Sequence, residues 1–262
     1  MTNLHTRIPW IVCFGCAIVF LLVALVGTPI GNQIEGLAHL PQNSGILIQQ
    51  AMLVIVSALA VTIFGGWGSA GFGQPIRLKA FLICLPCLTA PIILLFYTGF
   101  AASGLIQTIM LVVFTFMIGF AEEALCRGVM LGAFLPQGAM RAAAFSSVIF
   151  GSMHLIYIFY GMDIVTALLY VFYASLIGFG LAAPFIRGTS GIWPVIIVHS
   201  LYDLLGKLGH GWGVQAQPTT SMDVAVRLIV AILVGIYGYW LIKSMPKAAQ
   251  STQVAEPEFS MT

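Results

Sequence analysis

Long apolar stretches alternate with short polar connections along most of this chain. Apolar windows of about 20 residues are long enough to cross a lipid bilayer as helices. The seventh window is shorter and opens with Trp193-Pro194, and proline is tolerated in a first helical turn. Eight windows predict spanning helices: 9–29, 46–64, 80–99, 104–126, 142–160, 163–185, 192–206 and 223–243. The pattern therefore predicts an all-α fold, a polytopic bundle of about eight transmembrane helices.

Composition supports a membrane protein and excludes a soluble globular one. Hydrophobic residues make up 60% of the chain and charged residues only 7%, whereas soluble domains average about 25% charged residues. Lysine and arginine are scattered singly, so we expect no nucleic-acid partner. We expect residues 1–245 to form a single transmembrane domain in contact with the lipid bilayer. The tail 246–262 has low hydrophobicity and is predicted to be disordered and cytoplasmic.

The positive charges predict the orientation of the bundle. With eight spans, only Lys207 falls in a connection on the opposite side from the majority. Cytoplasmic connections carry an excess of lysine and arginine, so both termini are predicted to be cytoplasmic in a multi-pass protein of the cell membrane. The residues that share the predicted cytoplasmic side are Arg7, Arg77, Lys79, Arg141, Arg187, Lys243 and Lys247. Asp163 and Asp223 stand just before the sixth and eighth windows, where N-cap residues occur.

Few ionisable side chains lie at membrane depth, and each is a functional candidate because burial there is unfavourable. Glu122 and Glu123 stand near the predicted cytoplasmic end of the fourth span, followed by Arg127. Glu123 and Arg127 are four residues apart, which favours a helical ion pair. Glu122 lies about 100° away around the helix and is left free for chemistry. The alternative is a charge cluster at a helix end that reaches the membrane surface.

Two histidine motifs complete the set. His154 lies in the fifth span, and His199 lies four residues before Asp203 in the seventh, on one helix face. Alone, His154 is typical of a satisfied core residue, and a His–Asp pair can simply join helices. Counted from the helix ends at 1.5 Å per residue, Glu122, His154 and His199 all fall in the predicted cytoplasmic half. They are therefore predicted to meet in one cavity.

Three motifs in this order resemble those of the CAAX-protease and bacteriocin-processing family (CPBP, or Abi) of intramembrane proteases. The E-E-x-x-x-R motif is matched by Glu122–Arg127, F-x-x-x-H by Phe150–His154, and H-x-x-x-[N/D] by His199–Asp203, within a core of about 104–206. The resemblance implies an intramembrane endopeptidase, usually labelled a metalloprotease, with Glu122 activating water and His154, His199 and Asp203 lining the same cavity. Its substrate would be a peptide or a membrane protein.

The chemistry can also be argued from the residues. A buried glutamate can take a proton from water and return it to the leaving amine. Two imidazoles and a carboxylate can hold Zn²⁺, with His154, His199 and Asp203 as ligands, or the imidazoles can donate hydrogen bonds to the oxyanion. We therefore expect a catalytic set with Arg127 orienting it, which comprises Glu122, Glu123, His154, His199 and Asp203. Intramembrane Glu, His and Asp also build proton relays, so an ion-coupled transporter remains an alternative, as does a non-catalytic immunity or scaffold protein.

Overall fold

A computed structural model describes residues 7–101, 104–187, 191–209 and 221–245. Within these ranges the protein is helical and contains no strand, which confirms the predicted all-α class. The predicted disordered tail 246–262, including Lys247, lies outside the described residues.

Eight helices follow one another along the described part of the chain. Their bounds are α1 Pro9–Leu37, α2 Ser44–Gly65, α3 Leu78–Thr98, α4 Leu105–Gln137, α5 Ala139–Tyr160, α6 Ile164–Ile186, α7 Trp193–Leu208 and α8 Ser221–Lys243. All but α7 are long and apolar enough to span a bilayer by length and composition. Many large apolar side chains are exposed on the outside of the bundle, as lipid contact requires. The protein is therefore a multi-pass helical membrane protein, as predicted.

Helix α4 differs from its prediction in a way that matters for the site. It was expected to end near residue 126, but it continues to Gln137 and contains 33 residues. Its segment Ala124–Leu131 is π-helical, and every residue of that segment is buried. Packing on all sides by neighbouring helices can hold this rarer geometry, which often occurs at functional sites. Glu122 and Glu123 therefore lie near the middle of a long helix, so the prediction that they lie at its end was wrong.

Aspartates were predicted to cap two helices, and the structure confirms one of these caps. Asp163 caps α6 by accepting a hydrogen bond from the backbone N–H of Thr166 (3.0 Å), as predicted. Hydrogen bonds from Thr166 also hold the pKa of Asp163 below its ordinary value. Asp223, however, is the third residue of α8 rather than a residue before it, and its carboxylate pairs with Arg227 at 2.5 Å. The predicted capping role of Asp223 was therefore wrong.

The first two helices form a tight hairpin. A Cβ atom on Gly31 would overlap the backbone of Gly45, and the reverse also holds, so glycine on both helices allows direct backbone contact. Glu35 at the end of α1 accepts hydrogen bonds from the backbone N–H groups of Asn43 (3.0 Å) and Gly45 (2.7 Å). A carboxylate at the start of α2 satisfies N–H groups that lack partners inside the helix.

The remaining helices surround α4 and hold the site. Helix α4 packs against α2 and α7, while α6 packs against α5 and α8. The connection between α2 and α3 contacts the start of α7, where the Ile192 N–H donates to the Gly71 carbonyl and the Trp193 indole N–H donates to the Phe72 carbonyl. These contacts place the first turn of α7 beside α4. The motif residues of α4 and α7 therefore face each other.

Candidate active site

The close approach of α4 to α7 depends on Gly119. A Cβ atom at this position would lie 2.9 Å from the Ile196 carbonyl oxygen and 3.0 Å from the Ser200 backbone nitrogen, and would overlap the Ser200 hydroxyl. No residue with a side chain fits without moving one helix, because two of these atoms belong to the backbone. Gly119 stands one turn before Glu123, and Ser200 follows His199 directly. This contact therefore brings the glutamate pair to the histidine.

Glu123 is the buried centre of the cluster. Its side chain has no exposed surface. One carboxylate oxygen lies 3.0 Å from Nε of Arg127, and the other lies 2.6 Å from Nδ1 of His199. A carboxylate only accepts, so Nδ1 of His199 carries the hydrogen and donates it. Arg127, Glu123 and His199 therefore form a chain of charge-assisted contacts in which the arginine holds the acid and the acid orients the imidazole.

The other ring nitrogen of His199 faces two further carboxylates. Nε2 lies 3.6 Å from the Glu122 carboxylate and 3.9 Å from the Asp203 carboxylate. Unlike Glu123, both remain partly accessible, with 20% and 22% of the side-chain surface exposed. Three carboxylates in this cluster face one guanidinium and one imidazole. Glu122 and Asp203 are therefore the acids that an entering molecule can reach.

The ring of Phe150 joins the three motifs. It meets the His154 ring edge to face at a centroid distance of 5.1 Å and the His199 ring at 5.9 Å. The Arg127 guanidinium lies over the same ring at 5.0 Å. Edge-to-face pairs and cation–π contacts each favour a defined geometry. Phe150 therefore sets the spacing between the two imidazoles, which explains a phenylalanine four residues before His154.

His154 and Arg127 are further fixed by backbone carbonyls. Nδ1 of His154 lies 3.1 Å from the Phe150 carbonyl, which can only accept, so that nitrogen donates. Nη2 of Arg127 donates to the Gly178 carbonyl at 2.8 Å. A Cβ atom on Gly178 would lie 2.8 Å from the Phe150 ring. Gly178 is thus needed both for its carbonyl and for its missing side chain.

The structure brings together all the predicted site residues. Glu122, Glu123, Arg127, His199 and Asp203 are in direct contact, and His154 joins them through Phe150 and lies within electrostatic range of His199 and Asp203. Glu123, not Asp203, holds the His199 ring, although Asp203 lies four residues from His199 on the same helix.

Two supporting residues received no positioning role from the sequence, namely Gly119 and Phe150. Phe150 was part of a motif, which is the signal that could have indicated it, whereas Gly119 carried no such signal.

The predicted zinc ligands do not form a metal site in this arrangement. Among the described residues, no group of three or more His, Cys, Asp or Glu side chains is arranged to hold a metal ion. Nδ1 of His154 and Nδ1 of His199 both donate to protein acceptors, which leaves Nε2 as the free nitrogen of each ring. Zinc ligation by His154, His199 and Asp203 therefore stays a prediction.

Comparison with known proteins adds an independent result. The family model described as type II CAAX prenyl endopeptidase Rce1-like matches residues 104–205. No curated protein sequence and no solved structure matches the chain. The matched segment runs from the start of α4 into α7 and contains the glutamate pair, Phe150, both motif histidines and Asp203. Residues 104–205 of this helical membrane protein, less than half of the chain, are therefore similar to CAAX-type prenyl endopeptidases.

Proposed function

We propose that this protein is an intramembrane endopeptidase in which Glu122 activates the attacking water. The observation that carries the proposal is the chain Arg127–Glu123–His199, which ends at the accessible carboxylate of Glu122. A buried acid fixed by an arginine and used to orient an imidazole is the kind of support that catalysis requires. The family match to CAAX-type proteases is consistent with this chemistry.

The division of roles follows from accessibility. Glu123 has no exposed surface, and its two oxygens contact Arg127 and His199, so it positions His199 and does not meet the substrate. Glu122 is partly accessible and has no ion-pair partner among the described residues except His199, at 3.6 Å. It can therefore accept a proton from a water molecule that approaches a peptide carbonyl.

Hydrolysis then proceeds in two steps. The water oxygen bonds to the carbonyl carbon while its proton moves to Glu122 and the carbonyl electron pair becomes an oxyanion. The oxyanion collapses, the C–N bond breaks, and the proton held by Glu122 passes to the leaving amine. Asp203 and Nε2 of His199 border this space and orient the water and the substrate. This scheme returns Glu122 to its starting state.

Cleavage assays with purified protein test the proposal. The substrates are a prenylated CAAX peptide, the same peptide without the prenyl group, and a transmembrane peptide. Glu122→Gln keeps the size of the side chain but removes the base, so we expect cleavage to fall by at least about 100-fold. Glu35→Gln is the matched control, because Glu35 caps α2 outside the site. Undiminished cleavage by Glu122→Gln would refute the proposal.

The orientation forms a second part of the proposal. We propose that both termini and the site face the cytoplasm, because the predicted connections on that side carry most of the lysine and arginine residues. A substrate added to sealed vesicles of known orientation should be cut when the cytoplasmic face is outward and spared when it is inward. The opposite result would reverse the orientation without changing the chemistry.

A further inference from the structure

The last part of α5 presents a tyrosine beside the motif histidine. Residues His154–Tyr160 form a 3₁₀ helix, in which side chains three residues apart lie above one another. His154, Tyr157 and Tyr160 therefore share one face of this segment. None of its seven residues is buried, so this face stays accessible next to the site.

Tyr157 is held at the site by ring contacts on both sides. Its ring meets His154 edge to face at 5.7 Å and Tyr170 of α6 at 5.7 Å. It is 36% exposed and lies within electrostatic range of Glu122 and Asp203. The ring thus has a defined position, and part of the Tyr157 surface is accessible.

The hydroxyl groups of the two aligned tyrosines differ in their partners. Tyr160 donates to the Ala24 carbonyl at 3.1 Å and lies 3.2 Å from the Thr28 hydroxyl. The Tyr157 hydroxyl makes no hydrogen bond to any residue that the structure describes. A tyrosine hydroxyl at membrane depth normally has a partner. The vacant donor of Tyr157 is therefore free to serve a bound substrate.

The proposed reaction needs such a donor. The negative charge that develops on the carbonyl oxygen must be stabilised by hydrogen-bond donors, and ionised carboxylates cannot donate. His154 uses its Nδ1 hydrogen on the Phe150 carbonyl, so its neutral form presents only a lone pair at Nε2. His199 directs its own Nδ1 hydrogen to Glu123. Tyr157 can donate whatever the protonation of either histidine.

We propose that Tyr157 is a substrate-contacting residue whose hydroxyl donates a hydrogen bond to the oxyanion of the tetrahedral intermediate. The inference rests on the proposed protease function and assigns it a further catalytic residue. No proton is transferred from the phenol: the carbonyl electron pair moves onto oxygen during attack by water, the O–H group stabilises it, and the pair returns when the C–N bond breaks.

Tyr157→Phe tests this role because it removes one hydroxyl and keeps the ring contacts with His154 and Tyr170. Removal of one oxyanion donor lowers kcat by about 100-fold or more, and we expect a loss of this size in Tyr157→Phe. We expect KM to change by less than about twofold, because the hydrogen bond forms mainly in the transition state. Tyr160→Phe is the matched control. It makes the same chemical change on the same face, and we expect it to leave kcat unchanged although it removes a hydrogen bond to α1.

Thermal unfolding of all three proteins in detergent separates chemistry from folding. Tyr157→Phe should unfold like the wild type because the lost hydroxyl has no partner among the described residues. If Tyr157→Phe has the kcat of the wild type, the inference about Tyr157 is overturned. The proposed protease function would still be supported by the loss of activity in Glu122→Gln. A rise in KM alone would also overturn it, since that result indicates ground-state binding. If the wild type cleaves none of the three substrates, both proposals fall together.

Discussion

A single methyl group at Gly119 should impair the site while leaving the fold in place. In Gly119→Ala the new Cβ atom would lie 2.9 Å from the Ile196 carbonyl oxygen, whereas ordinary contacts begin at 3.4 Å. Helices α4 and α7 must therefore separate by roughly 0.5 Å, because packed backbone atoms cannot yield like a flexible side chain. The 2.6 Å contact between Glu123 and His199 and the longer one between Glu122 and His199 would both lengthen.

The magnitude follows from two opposing effects. A misplacement of 1 Å lowers enzyme rates by about 100-fold, so half that displacement should lower kcat about tenfold. Overpacking destabilises by about 1–3 kcal/mol, but alanine is favoured over glycine within a helix by about 1 kcal/mol. We therefore expect a net loss of stability of about 0–2 kcal/mol. The change in kcat should be the more prominent effect.

Kinetics and unfolding of Gly119→Ala measure both quantities, and Gly206→Ala supplies the control. Gly206 lies in α7, and a Cβ atom there would meet nothing within 4 Å, so this variant should keep full activity. Adding Ser200→Ala to Gly119→Ala should not restore kcat, because the two backbone atoms would still block the new methyl group. Full activity in Gly119→Ala would show that the spacing of α4 and α7 does not control the site.

Further predictions concern the groups around the glutamate pair. Arg127→Met leaves a buried carboxylate without its cation and should lower the free energy of unfolding in detergent by about 3–5 kcal/mol. The control is Arg141→Met at an exposed position, which should change it by no more than about 0.5 kcal/mol. Glu123→Gln weakens a charge-assisted hydrogen bond and should lower kcat by about 10- to 100-fold at little change in KM; unchanged kcat would refute its positioning role. Phe150→Leu loses the ring contacts of both histidines, and we expect a stability loss of about 1–3 kcal/mol together with reduced activity. Glu35→Ala removes the acceptor for two N–H groups of α2 and should destabilise by about 1–2 kcal/mol without affecting kcat.

The helical architecture could be predicted from the sequence because bilayer-spanning segments have a required length and polarity. Each of the eight windows corresponds to a helix, and the cap at Asp163 follows from residue type and position. The ends of helices were harder to predict from the sequence where contacts with other helices extend them. The continuation of α4 to Gln137 depends on neighbours that bury Ala124–Leu131 on every side. Asp223 was misplaced for a similar reason, since an ion pair with Arg227 lies inside the helix that Asp223 was expected to cap.

The chain by itself determined which chemical groups are present at membrane depth, because so few residues there are ionisable and their spacing along each helix is fixed by helical geometry. The partner of each group was decided only by the tertiary structure. Asp203 lies on the same helix face as His199, yet Glu123 from α4 holds the imidazole, since the absence of a side chain at Gly119 lets the two helices approach. Spacing along one helix cannot describe contacts between helices, which depend on the volumes of side chains far apart in sequence.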